Sequence, residues 1–307
     1  MTAAVVLAAY AAAAGLLAPA ALRDGWAACS PRLAMSLWMV LPASWMVAVV
    51  LAVLAATAPF RLNWQGPQPG GGQALLAQPV PGGAAVAVAG LLLAAAVVFR
   101  VVWCLAGELA RSRRDRRDHA TLVAAAGRPC PELGVVVLHD HDAPAAYCVP
   151  GGRYQVVVSA AALAALGTEE LQAVLAHERA HLRCRHHLIL VVAAALARAF
   201  PRVPLFAQAA PKLGVLAEMA ADDAAARCHG RDHLAKALVI LARTGTRPAA
   251  LAAGGPAAIA RIQRLLAPPQ QRQARRARLV ASAGLLLPVA IACLPLIMAV
   301  CDLTAHP

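Results

Sequence analysis

Apolar runs separated by charged stretches dominate this chain. Four of them, Thr2 to Leu22, Ala34 to Phe60, Ala84 to Gly107 and Leu279 to Cys301, hold a single charged residue among them, Arg100. Each reaches the ~20 residues a helix needs to cross a ~30 Å hydrocarbon core. The pattern therefore predicts four transmembrane helices, at about 2–22, 34–60, 84–107 and 279–301. Arg100 is placed to snorkel or to face a partner helix. A fifth apolar run, Leu188 to Ala197, is too short to span and predicts a buried or re-entrant helix.

Between the third and fourth runs the pattern shortens. Gly134 to Leu138 (GVVVL) and Tyr154 to Ser159 (YQVVVS) predict strands on either side of a Pro150-Gly151-Gly152 turn. Thr168 is expected as a helix N-cap, with Glu169 and Glu170 in the first turn. Leu171, Val174, Leu175 and Leu182 then follow a helical period. A further helix is expected from Leu213 to Cys228, ending near Gly230. The fold class is thus an α-helical membrane protein with an α+β domain, 108–278, inserted before its last span.

Composition agrees. The chain is 61% apolar and 14% charged, with a mean hydropathy of +0.64, which excludes an ordinary soluble domain and a disordered chain. The formal charge of +13 is concentrated: 24 of the 28 lysines and arginines lie between Arg111 and Arg278. They crowd the ends of the apolar runs, as on a cytoplasmic face beside anionic lipid, and no nucleic-acid motif accompanies them. Arg111 to Arg117 and Arg272 to Arg278 should both stay inside, so the expected localisation is a multi-pass cell-membrane protein with a cytoplasmic domain. The loop at 61–83, both termini and the tail at 302–307 are then external. Thr2 to Leu22 lacks the positive flank of a signal peptide and is expected to be a retained span. The eight cysteines show neither CxxC nor disulfide-framework spacing.

The chemistry is carried by His177-Glu178-Arg179-Ala180-His181, an HExxH motif on the helix that follows Thr168. Histidines four apart share a helix face and can converge on one zinc ion, while the intervening glutamate can act as general base on water. A catalytic zinc needs a third protein ligand. Glu218 is the favoured candidate. Asp222, four residues on, faces the same way and is placed to orient a ligand histidine. His187 is the rival, at the third-histidine position of HExxHxxGxxH, but Cys184 stands where that pattern needs glycine.

The stretch with Cys148-Val-Pro-Gly-Gly152, Val156-Val-Val-Ser159 and Leu175-Ala-His-Glu-Arg-Ala-His181, continued by Glu218-x-x-x-Asp222, Arg227 and Arg261-Ile-Gln-Arg264, resembles the gluzincin-type membrane metallopeptidases. It is most similar to the integral-membrane peptidases typified by the bacterial beta-lactam-sensing signal transducers. The heat-shock and CAAX prenyl membrane metalloproteases are more distant. The resemblance implies a gluzincin-like zinc protease domain facing the cytoplasm, with one Zn2+ on His177, His181 and Glu218 and Glu178 as catalytic base. It also implies a protein or peptide substrate paired with an edge strand, for which Tyr154, Val156 and Val158 are the candidate contacts. With six residues after Cys301, no external penicillin-binding domain is expected, so beta-lactam sensing is not carried over. Ala145-Ala146-Tyr147 also stands where the relatives often have asparagine. The expected partners are substrate and lipid bilayer, with no nucleic acid. The competing reading is a membrane scaffold with a vestigial metal site.

Overall fold

The computed structural model describes residues 2–22, 27–61, 82–141, 143–150, 155–243 and 255–267, with 275, 279 and 282. Three helices, α1 (Thr2–Ala21), α2 (Pro31–Arg61) and α3 (Gly83–Ala126), are long and apolar enough to cross a membrane. All but residues 279 and 282 of the fourth expected span, 279–301, lie outside the described residues, as do most of the 61–83 loop and the tail. Close packing of α2 on α3 depends on Gly90, where a Cβ would sit 2.4 Å from the Thr57 methyl. On its outer face α3 exposes Leu91, Leu92, Leu93, Phe99, Val102 and Trp103, the surface expected against lipid.

At 44 residues, α3 is about 66 Å long. It outruns its apolar half and continues as a charged rod past Glu108 to the sheet. That sheet has four strands: β1 (Gly127–Cys130), β2 (Val135–Leu138), β3 (Ala146–Val149) and β4 (Gln155–Ser159), in the order β1-β2-β4-β3. Only the β2–β4 pairing is parallel. β4 runs directly into α4 (Ala160–Ala165), whose N-cap is Ser159. The Ser159 hydroxyl accepts from Ala162 N and Ala145 N and donates to Ala143 O, at 3.1, 2.9 and 2.8 Å. One side chain thus caps a helix and fixes the chain entering β3.

The expectation that Tyr154 to Ser159 offers an open edge is corrected here. β4 is hydrogen-bonded on both sides, and Val156 and Val158 are buried in the core. An uninterrupted apolar run suits an inner strand covered on both faces. The edge strands among the described residues are β1 and β3, and β3 is the one that packs beside α5. Tyr154 lies outside those residues.

Five helices complete the described chain: α5 (Thr168–Arg183), α6 (His186–Ala199), α7 (Pro204–His229), α8 (Arg231–Arg243) and α9 (Gly255–Leu266). Gly167, not Thr168, occupies the N-cap of α5. α6 is the short apolar helix expected from its sequence, and its last turn is held by Arg100, whose Nε donates to Ala199 O at 2.6 Å. That bond accounts for the lone charge in the third apolar run. α7 begins nine residues earlier than expected and runs through Pro211.

Two cores matter for the site. Leu205, Ala209, Leu213, Leu216, Ala217 and Ala220 of α7 pack with Ala34, Met35, Leu37 and Trp38 of α2 and Ala193 of α6. Val135, Val137, Ala146, Val156 and Val158 pack with Leu171, Val174 and Leu175 of α5 and Ala237 of α8. Between them, α5 crosses α7 on small residues, Ala180, Ala221 and Ala224. Alanine at all three lets the backbones approach and sets the spacing of the polar groups beside them.

Candidate metal centre

At that crossing α5 presents His177, Glu178 and His181, and α7 presents Glu218 and Asp222. His177 and Glu178 are buried and Asp222 is fully so. His177 Nε2 lies 3.1 Å from His181 Nε2 and 3.5 Å from Glu218 Oε2, while His181 Nε2 lies 3.4 Å from Glu218 Oε1. A tetrahedral zinc with bonds of ~2.0–2.1 Å spaces its ligands about 3.3 Å apart. The two imidazoles each face a different oxygen of Glu218 at close to that spacing, one ligand atom from each of the three side chains lies within 4.8 Å of the others, and their chemistry suits zinc.

Around these three side chains stand groups that hold them in place. Asp222 Oδ1 lies 3.0 Å from His177 Nδ1, the nitrogen turned away from the other ligands. Arg261 of α9 clamps both carboxylates: Nε and Nη2 donate to Asp222 at 2.7 Å, and Nη1 lies 2.7 Å from Glu218 Oε2. His186 is buried, and its Nδ1 lies 3.0 Å from His181 Nδ1. It reaches there because Arg185 takes a left-handed conformation (φ 49°) that ends α5 and reverses the chain into α6. Replacing His186 by alanine leaves the His181 ring unsteadied. Zinc affinity should fall about 10- to 100-fold, the usual effect of deleting a ligand's outer partner, as read by chelator competition.

Electrostatics agree with a cation site. Glu178, Glu218 and Asp222 face two cations, Arg261 and the protonated His177, so the cluster without metal still carries an excess of negative charge. Burial opposes a charged His177, but its contacts with Asp222, Glu218 and Glu178 override that and push its pKa up to about 9. Burial pushes His181 down to about 4, with His177 and Arg261 acting in the same sense. Burial also works against an ionised Glu218, yet His177 and Arg261 hold its carboxyl well below the usual range. Metal uptake must displace the His177 proton. Zinc affinity should therefore climb about tenfold per pH unit until the pH reaches about 9, then level off. A flat profile from pH 7 to 9 in a competition titration contradicts this assignment of the proton.

Cys148, on β3, packs against α5 and hydrogen-bonds to Glu178. Burial pushes its thiol up to about 12, and Glu178 and Glu218 push the same way. At neutral pH it is a thiol donating to a carboxylate. This contact was not visible in the sequence, where Cys148 read only as part of a turn motif.

The rival ligand His187 and several other polar side chains nearby lie outside the cluster. His187 sits in the first turn of α6, near Arg116 and Arg185 and outside the cluster. Tyr147 turns to the opposite face of the sheet, against His119. His233 is 3.7 Å from Glu170 at the start of α5, and His229 closes α7. Asp223 pairs with Arg264 at 2.7 Å, and Arg264 also donates to Ala28 O at 2.7 Å.

The family model of peptidase family M48 matches residues 110–268, from the charged part of α3 through α9. No curated protein and no solved structure matches the chain.

Proposed function

This chain belongs to peptidase family M48, a family of zinc metallopeptidases, and from that premise we propose that it is a membrane-integrated zinc endopeptidase cutting a protein substrate at the cytoplasmic face. The observation that carries the reading is the convergence of His177, His181 and Glu218, with one ligand atom from each within 4.8 Å of the others and the buried Glu178 beside them. The flanking arginine clusters support a cytoplasmic domain spanning 108–278, held between three spans and a fourth at 279–301.

His177, His181 and Glu218 would hold a zinc ion, which would supply the Lewis acidity to polarise the scissile carbonyl and acidify water. Glu178 takes the proton of the attacking water and delivers it to the leaving amine. The Cys148 thiol steadies the Glu178 carboxylate from the sheet side. Asp222 orients His177, and Arg261 offsets the charge of the two α7 carboxylates. Substrate adds as a strand to the free edge of β3, where main-chain hydrogen bonds hold it in register.

The spans around the domain favour regulated cleavage of a transcriptional repressor or another regulatory or membrane protein, as in the signal transducers that the motifs resemble. Comparative proteomics of cells carrying the wild type or Glu178→Gln tests the proposal. Cleavage products that vanish in the variant identify the substrate. Identical product sets favour the scaffold reading.

A further inference from the structure

Beside the free edge of β3 lies a groove of about 400 Å³. One wall is the charged part of α3, with Arg111, Asp115, Arg116 and His119; the other is β3 with the turn after it, Tyr147 to Pro150. The two faces of β3 differ. Tyr147 and Val149 point to the α3 side, where they join Val123 and Val136. Ala146 and Cys148 point to the α5 side, where Cys148 meets Glu178. A strand added to this edge inherits the alternation. Every second side chain faces the metal, and those between face the groove.

The charges in the groove are unequally satisfied. Glu108 is covered by two cations, Arg111 at 2.5 Å and Arg198 at 3.7 Å. Asp115 stands one helical turn beyond Arg111. Nη1 of Arg116 is buried and has no hydrogen-bond partner among the described residues. A guanidinium nitrogen removed from water without an acceptor is unfavourable, and a carboxylate is the acceptor that matches its fork.

We propose that this groove is a side-chain subsite for an acidic residue of the substrate, whose carboxylate pairs with Arg116 on the face of the bound strand turned away from the metal. The inference rests on the peptidase reading above and adds a substrate class to it: an extended segment with aspartate or glutamate at a fixed, alternate-face distance from the scissile bond.

Cleavage-site profiling of the purified full chain, in nanodiscs with a proteome-derived peptide library, tests it. The wild type should favour Asp or Glu over Asn or Gln at one such position by about tenfold or more in kcat/KM, the effect of one hydrogen bond between charged partners. Arg116→Gln should flatten that preference and Arg116→Glu should turn it towards Lys and Arg. A wild-type profile without acidic enrichment, or an enrichment that survives both substitutions, overturns the subsite while leaving the peptidase reading intact. If Arg116→Glu does not fold, the wild-type and Arg116→Gln profiles decide. Absence of any Glu178-dependent cleavage brings down the peptidase reading, and the subsite with it.

Discussion

Glu178→Gln should lower peptide hydrolysis by about 10²- to 10⁴-fold, the share that positioned proton transfer supplies, while one zinc per chain is retained. The amide keeps the size of the carboxylate and can still meet Cys148, so folding and ligand geometry survive. What it loses is the capacity to accept a proton from water. The pairing of outcomes is informative. Metal analysis by mass spectrometry should give equal zinc for variant and wild type, and a quenched-fluorescence peptide should separate them. If the variant cleaves as fast as the wild type, the base lies elsewhere. If it loses zinc, Glu178 is a ligand and the trio has been misassigned.

The second large effect should come from Arg261→Met. Asp222 is fully buried and Glu218 is two-thirds so, and Arg261 touches both at 2.7 Å. Removing the guanidinium leaves two carboxylates in a low-dielectric crossing with only the charged His177 imidazole to offset them. Breaking such a buried network costs about 3–5 kcal/mol, a large fraction of the ~5–15 kcal/mol that holds a domain together. Thermal unfolding in a mild detergent should therefore shift sharply down in the metal-free protein. The shift should be smaller with zinc bound, because a divalent cation supplies the missing positive charge. Arg261→Lys should recover only part of the loss, since one ammonium cannot reach both oxygens of Asp222 in a fork. An apo melting curve unchanged in Arg261→Met shows that the clamp carries no stability.

How much of this was legible beforehand follows from the range of each interaction. His177, Glu178 and His181 share one helical turn, so spacing alone brings them together. Glu218 and Asp222 likewise share a turn, and their common face is readable. That the two groups meet is a tertiary fact, set by the alanines at the α5–α7 crossing, and the sequence supplied it only as an expectation, from the need for a third zinc ligand and from the resemblance. β3 was missed because Ala-Tyr-Cys-Val carries no clear alternation, and it exists by pairing with β4. β1 was missed because Gly-Arg-Pro-Cys has the composition of a turn. Missing β3 placed the edge on β4, whose valines are the most strand-like in the chain and for that reason lie inside. α7 was begun after Pro211 because proline usually marks a boundary; here a packed neighbourhood carries the helix through it. The role of His186 was not legible, since nothing local announces the left-handed turn at Arg185 that folds it back onto His181.

α7 belongs to two assemblies at once. Its first turns fill the space between α2 and α6, and a few residues later the same rod delivers Glu218. A rigid helix cannot reposition one end and leave the other behind. Any agent that loosens the lipid-side packing, a harsh detergent or a bilayer of the wrong thickness, therefore also draws a ligand away from the imidazoles. Zinc content then reports how intact the bundle is, and the choice of solubilising agent becomes part of every measurement of this metal.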